Sequence, residues 1–511
     1  MKTVMVVIAI VLYLGFMIAI GVKTSKKNKN SDDFYLGGRK LGPVVTAMSA
    51  EASDMSAYLL MGIPGLALFC GLAEASWTAI GLCVGTYLNW LFVAKKLRVY
   101  SEKIDAVTIP EFFSKRFGDK KNILSVISAI IIIIFFVPYT ASGFSACGKL
   151  FGSLFGMDYM TAVILSAIVI VVYCTLGGFL AASTTDLIQS IVMTICLVMV
   201  LGIAEGITGG FENIFANANA VSGYLDVFKS SDIINGNNGD FGGFSVATTL
   251  AWGLGYFGMP HILLRFMAID DPKKLKTSRR IASVWVVISM AVAIFIGVAG
   301  YSLLKKGIIG PYETSSAAES VIVDISKFLA GKGYIPAFAA GIFLSGILAS
   351  TMSTADSQLI AASSSVTQDI LVDTLHIKIS EKKTLLIARL SVIVIAAIGV
   401  FLARDPDGSV FRIVSFAWAG FGASFGPVMM LGLFWKRMNK WGALAGMVTG
   451  GAMVFIWKFI IAKAGGVFAI YELLPAFIIA CVAIVFVSLV TGKPDDSVVK
   501  TFEKVKKSLN H

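Results

Sequence analysis

SAEASDMSAYLLMGIPG, residues Ser49 to Gly65, interrupts an apolar run that is otherwise long enough to cross a bilayer. It carries Glu51 and Asp54, several small polar residues, and a Gly-x-Pro-Gly turn. A charge at bilayer depth costs at least ~2.5–3.5 kcal/mol, so such residues face protein, a water cavity or an ion. Gly62, Pro64 and Gly65 weaken helix regularity. A membrane helix broken there frees backbone carbonyls and N–H groups, which is tolerable only where they line a site. The expectation is a broken helix whose unwound middle binds an ion and an organic substrate.

Outward from this stretch, apolar runs of about 20 residues predict thirteen spans, near 4–22, 42–70, 74–94, 123–147, 159–181, 185–207, 245–268, 282–304, 334–363, 384–403, 410–435, 442–463 and 470–491. Basic residues gather after the odd-numbered spans. Lys23, Lys26, Lys27, Lys29, Arg39 and Lys40 follow the first, and Lys273, Lys274, Lys276, Arg279 and Arg280 follow the seventh. Lys378, Lys382 and Lys383 follow the ninth. Lys305 and Lys306, after span 8, break the pattern. The alternation puts the N-terminus outside and the C-terminus in the cytoplasm. The first span lacks a basic lead-in beyond Lys2 and a convincing cleavage site, so it reads as a retained helix and not a signal peptide.

Span 7, TTLAWGLGYFGMPHILLRFMA, is the other Gly/Pro-interrupted segment, with Gly253, Gly255, Gly258 and Pro260 close together. It lies five spans after span 2, and an odd repeat length inverts topology. Spans 2–6 and 7–11 therefore read as inverted repeats, each opened by a broken helix. Paired interruptions of this kind point to a transporter's central site. The competing reading is that the glycines only permit close helix packing. Trp252, Tyr256 and Pro260 share one helical face, either as packing or as the wall of an organic-substrate pocket.

Span 9 contains ASTMSTADSQL, in which Ser350, Ser353, Thr354 and Ser357 line one helical face. Such a stripe either glues helices together or offers hard oxygen ligands to a cation. Two further acids fall within spans. Asp186 opens span 6, as a helix cap or as part of a site. Asp356 has no capping role and should face polar surroundings.

Composition agrees with a polytopic membrane protein. Of 511 residues, 57% are hydrophobic and only 14% charged, against roughly 25% charged in soluble domains. The net charge of +12 sits in short loops, which fits the positive-inside rule and not nucleic-acid binding. The six cysteines lie in or beside apolar spans with no CxxC pair, so no disulfide framework or metal site is expected.

FYLGGRKLGPVVTAMSAEASDMSAYLLMGIPG, TLGGFLAASTTDLIQ, WGLGYFGMPHILLRFMA, ASTMST and SFAWAGFGASFGP together resemble the sodium/solute symporter family, and within it the sodium/proline symporters. The resemblance runs over nearly the whole chain. It implies an all-α polytopic fold with the inverted five-helix repeat of leucine-type transporters, broken in spans 2 and 7. It also implies sodium as the coupling ion, L-proline as the substrate, and no organic cofactor or obligate protein partner. Sodium ligands would be backbone oxygens of Ala52, Met55 and Ser350 and hydroxyls of Ser353 and Thr354. Asp54 and Ser56 match residues tied to sodium and proline binding, and Arg39 a residue tied to coupling. Tyr139, Trp252, Tyr256 and Pro260 match the proline pocket. Tyr58, also in that pocket, stands where the proline symporters usually carry Trp. Asp186, Ser353, Asp356 and Ser357 resemble a second sodium site of some relatives, with Asp356 in place of a small hydroxyl.

The segments then read as a first helix and loop (1–41), a first repeat (42–207), an outer loop (208–244), a second repeat (245–435), two further spans (436–492) and a cytoplasmic tail (493–511). The expected activity is sodium-coupled proline import across the plasma membrane, with no covalent chemistry. The rivals are the same fold carrying another small amino acid or organic solute, a proton-coupled version, and a channel or transporter-like sensor.

Overall fold

Helices follow from the long apolar runs, because a segment in hydrocarbon must satisfy its backbone internally. The computed structural model describes residues 2–25, 35–234, 236, 238–375, 377 and 380–510. Lys26, Lys27, Lys29 and Lys378 of the charge pattern, and Phe34 of the quoted motif, lie outside them.

The chain runs α1 (Lys2–Ser25), α2 (Pro43–Asp54), a π-helical turn (Tyr58–Gly62) into α3 (Ile63–Cys70), and α4 (Leu72–Leu88), which a second π turn joins to α5 (Lys95–Lys103). Then come α6 (Ile109–Phe117), α7 (Ile123–Phe155), α8 (Tyr159–Thr208) and α9 (Phe211–Asn219). After a hairpin of β1 (Lys229–Ser231) and β2 (Asn238–Asp240) follow α10 (Gly243–Leu250), a 3-10 segment (Ala251–Gly258) and α11 (Pro260–Ala268). The chain continues through α12 (Leu275–Lys305), α13 (Ser315–Ala318), α14 (Val321–Ala330), α15 (Tyr334–Ser364), α16 (Glu381–Leu402), α17 (Val410–Phe434), α18 (Lys440–Phe459), α19 (Leu473–Val490) and α20 (Asp496–Asn510).

Among the described residues nine helices are long and apolar enough to cross a membrane, or ten if α2 and the segment Tyr58–Cys70, bent by 61°, count as one span. The other expected runs fall on shorter or interrupted helices: Tyr159–Val172, the segment 243–268, and Leu386–Leu402. α8 carries the fifth and sixth runs and kinks at Gly178, where φ is 70° and ψ 177°, a conformation open to glycine.

Burial separates core from rim. In α15 and α17, 72% and 78% of the apolar window is buried, against 28% in α1 and α19. α15 packs against α8, α7 and α1, while α17 packs against α7 and the 3-10 segment. The rim helices turn Val11, Leu12, Val482 and Phe486 outward, as a hydrocarbon surround requires.

The glycines of span 7 do serve close packing. A Cβ on Gly253 would lie 2.3 Å from the Gly81 carbonyl oxygen, and one on Gly85 would lie 2.4 Å from that of Gly253. α4 and the 3-10 segment therefore touch backbone to backbone. The same segment also departs from α-helical geometry, with Met259 extended before Pro260 opens α11. The glycines there serve close packing, in a segment that is 3-10 and then extended where it meets α11.

Candidate functional site

The break after α2 begins where the helical hydrogen-bond ladder shifts. The Met55 N–H still reaches the Glu51 carbonyl at 2.8 Å, but that of Ser56 turns back to the Asp54 carbonyl, also at 2.8 Å. The Ala52 carbonyl is thereby released from the partner a continuous helix would give it. It accepts instead from the Ser353 hydroxyl of α15 at 2.8 Å. Ser353 also donates to the Ser350 carbonyl at 3.2 Å, and Thr354 donates to that carbonyl at 3.0 Å. Oxygens of four of the five expected sodium ligands, Ala52, Ser350, Ser353 and Thr354, are thus linked by hydrogen bonds, of which the Ser353–Ala52 bond joins α15 to the break. Met55 sits beside them as the residue that ends α2. The Ser350 side chain bonds its own helix at Ile347, so only its carbonyl is offered.

A second focus forms around Asp54. Its Oδ2 accepts from the Tyr256 hydroxyl at 2.5 Å, and its carbonyl accepts from the Tyr139 hydroxyl at 3.3 Å. Ser56 is buried nearby in the sequence with an unpartnered hydroxyl. Tyr58 lies 6.3 Å from Trp252, ring to ring, and its hydroxyl points to the Met55 sulfur at 3.2 Å. Pro260 begins α11. Tyr58, Tyr139, Trp252 and Tyr256 are all buried, so the expected pocket is closed around its own aromatics. Phe411, Trp418 and Tyr471 add further rings, at 4.9, 6.3 and 5.5 Å from Trp252.

The expected second site has a different centre. Asp186 is not a helix cap: it lies inside α8, past the Gly178 kink, and pairs with Arg265 of α11 at 3.2 Å. Arg265 Nη2 also donates to Ser53 at 3.0 Å and Ser357 at 2.5 Å, while Nε donates to Ser49 at 3.1 Å. Ser49 in turn donates to Asp186 at 2.6 Å. Asp356 accepts from Ser357 at 3.1 Å. Asp186 and Ser357 therefore meet the Arg265 guanidinium directly and Asp356 is linked to it through Ser357, while the Ser353 hydroxyl donates to the Ala52 carbonyl. One oxygen of each acid, Asp186 Oδ1 and Asp356 Oδ2, is buried without a partner.

Arg39 lies apart from these groups. Its guanidinium donates to Ser101 at 3.1 Å, to the Met267 carbonyl at 2.7 Å and to the Ala106 carbonyl at 2.7 Å. Beside it Leu41 and Ile269 form a parallel β-bridge. The chain before α2 and the chain after α11 are thus fastened together at one face of the bundle.

Glu51 Oε1 accepts from Trp90 Nε1 at 3.0 Å and from Thr86 at 3.2 Å, while its Oε2 is buried without a partner. Reading the sequence missed Arg265, although an arginine within an apolar span is itself a signal. It also did not single out Phe411, Trp418 and Tyr471, which approach Trp252 from late in the chain, although Trp418 lies within SFAWAGFGASFGP.

The sequence profile of the sodium:solute symporter family matches residues 34–450. The osmoregulated proline transporter OpuE of Bacillus subtilis (strain 168) is 42% identical over 507 residues, covering 99% of this chain and 98% of the relative. The sodium/proline symporter of Escherichia coli (strain K12) is 40% identical over 492 residues, covering 96% and 94%. Among solved structures, a sodium-coupled sialic acid symporter in its substrate-bound outward-open state matches with a TM-score of 0.77 at 19% identity, covering 96% of this chain and 99% of that one. Mhp1, a nucleobase-cation-symport-1 family transporter, matches with 0.54 at 13%, covering 93% and 99%. These likenesses establish a shared fold.

Proposed function

The chain belongs to the sodium:solute symporter family, and from that premise we propose that it imports L-proline together with sodium by alternating access. The observation that carries this reading is the meeting of the freed Ala52 carbonyl with Ser350, Ser353 and Thr354, in a chain with full-length relatives named as proline transporters.

Sodium would sit between the break of α2 and α15, held by the oxygens of Ala52, Met55, Ser350, Ser353 and Thr354. These are neutral oxygens, which hold a monovalent ion without trapping it. The Ser353 and Thr354 hydroxyls donate to the Ala52 and Ser350 carbonyls that would be co-ligands. Sodium would rotate both hydroxyls and pin the break against α15. Proline would then place its carboxylate at freed N–H groups near Ser56, with its ring against Tyr58, Tyr139, Trp252, Tyr256 and Pro260. Asp54 would act by orienting Tyr256. Arg39 would fasten the cytoplasmic side until both ligands are bound. Coupling is then a difference in affinity between two states.

In this reading residues 42–207 and 245–435 are inverted repeats, the thirteen spans all cross, and the N-terminus lies outside. The unpartnered oxygens of Asp186 and Asp356 favour a second coupling cation beside Ser357, with a proton as the rival occupant.

Labelled-proline uptake into proteoliposomes, with and without an inward sodium gradient, tests the proposal. Accumulation should require the gradient. Accumulation driven equally by a pH gradient alone would point to proton coupling, and failure of proline to accumulate at all would reassign the substrate.

A further inference from the structure

The C-terminal helix α20 lies along α5, away from the transport site. Between them is a groove of about 200 Å³ lined by Lys96, Tyr100, Leu433, Phe434, Lys506 and neighbouring apolar side chains of α20. No acidic residue lines it. Among the described residues neither Lys96 nor Lys506 has a carboxylate partner; Glu503 of α20 is taken by Lys436 and Glu102 by Arg98. Tyr100 lines the groove, and its hydroxyl is buried without a hydrogen-bond partner. Behind it Arg116 is buried at 1% exposure, with both Nη1 and Nη2 unpartnered. Its guanidinium packs 5.3 Å from the Tyr100 ring and 5.1 Å from the Phe502 ring. Buried donors and buried charge call for a counter-group, and the cations Lys96, Lys506 and Arg116 call for an anion.

The anion must also suit an apolar wall. Phe434 ends the membrane helix α17, and with Phe92 of the neighbouring π turn it presents an exposed aromatic track, ring centroids 6.5 Å apart. Lys96 sits over the Phe434 ring at 3.2 Å, at the junction of the basic and apolar parts. A soluble phosphate would use only the basic part. A phospholipid uses both, since basic pockets at a membrane edge hold headgroup phosphates while acyl chains lie on the adjoining apolar surface.

We propose that this groove binds one anionic glycerophospholipid, its phosphate between Lys96, Lys506 and the Tyr100 hydroxyl, with Arg116 supplying charge from behind and an acyl chain along Phe434 and Phe92. The lipid fastens α20 to the membrane edge of α5 and α17.

The full-length protein, purified in neutral detergent, is titrated with phosphatidylglycerol or phosphatidylcholine of matched chains and read by native mass spectrometry and thermal unfolding. The wild type should retain one phosphatidylglycerol selectively and melt several degrees higher with it. Lys96→Gln/Lys506→Gln should weaken that binding about tenfold or more. Lys506→Gln alone, at an exposed position, should weaken it less and serves if the double variant does not fold. Equal retention of phosphatidylcholine, or undiminished phosphatidylglycerol binding by the variants, overturns the proposal. Inorganic phosphate raising the melting point as much as phosphatidylglycerol would assign the groove to a free anion and overturn the lipid.

Discussion

Tyr256 donates its phenolic hydrogen to Asp54 at 2.5 Å, joining the break after α2 to the 3-10 segment before α11. Neither residue has this partner within its own segment, so the bond exists only when the two interrupted helices face each other. Tyr256→Phe leaves a buried carboxylate oxygen without a donor, a cost of about 1–3 kcal/mol. Proline uptake should fall about 5- to 150-fold, the same energy expressed as a ratio. Asp54→Asn should be at least as damaging, whereas Glu51→Gln, still held by Trp90 and Thr86, should be mild. Initial-rate uptake of all three variants checks this. Equal loss in Asp54→Asn and Glu51→Gln would misplace the working carboxylate.

Ser353→Ala and Thr354→Ala should each raise the sodium concentration for half-maximal uptake several-fold or more, while Ser350→Ala should not. The distinction follows from geometry. The Ser353 hydroxyl donates across to the Ala52 carbonyl of the break and Thr354 donates to the neighbouring Ser350 carbonyl, whereas the Ser350 hydroxyl turns away to Ile347. Sodium titrations of uptake separate the three, and a sodium response unchanged in all three would move the cation elsewhere.

Trp252→Ala and Tyr256→Ala should raise the half-saturating proline concentration much more than they change sodium affinity measured directly. Tyr58→Trp should be tolerated and should sharpen selectivity for proline over larger ring analogues. Competition uptake with a panel of amino acids reads both effects. Should proline fail to compete while an unrelated solute does, the substrate assignment falls.

Arg265→Met should destabilise the fold by about 3–5 kcal/mol, because it strands Asp186 as an unpaired buried charge. Adding Asp186→Asn should recover part of that loss. Thermal unfolding of the purified variants reports the recovery. No recovery in the double variant would mean that Arg265 acts mainly through Ser49, Ser53 and Ser357.

Arg39→Gln should loosen the face where Leu41 bridges Ile269. A cysteine introduced at Ala268, buried in the parent structure, should then react faster with a thiol reagent applied from the side that carries α20. Unaltered labelling would assign the closure to the β-bridge alone.

The break after α2 was legible because its signals are local: two acids, small residues and a Gly-x-Pro-Gly turn within one apolar run. The hydroxyl stripe of α15 was legible through helical spacing. The cluster around Asp186 was only half legible. The acids stood out, but their partner Arg265 lies in another segment, and only tertiary contact reveals that it shares Ser53 and Ser357 with them. The closed aromatic wall was less legible still. Trp252 gathers rings from α17 and from the chain just before α19, and no periodicity in span 7 could announce them.

The glycine contact between α4 and the 3-10 segment has a mechanical consequence. Packed helices ordinarily interlock, ridge into groove, and a slide must lift one row of side chains over another. At Gly81, Gly85 and Gly253 there are no rows to lift. The seam is smooth, like a bearing, and displacement along it meets resistance mainly at its ends. One end is held by the Asn89 amide on the Tyr256 carbonyl at 2.9 Å, the other by the packing of α10 on α4. A single methyl added at Gly85 would turn the bearing into a ratchet tooth. The static fold would register the strain, and turnover would register it more, because each cycle would have to pass over it.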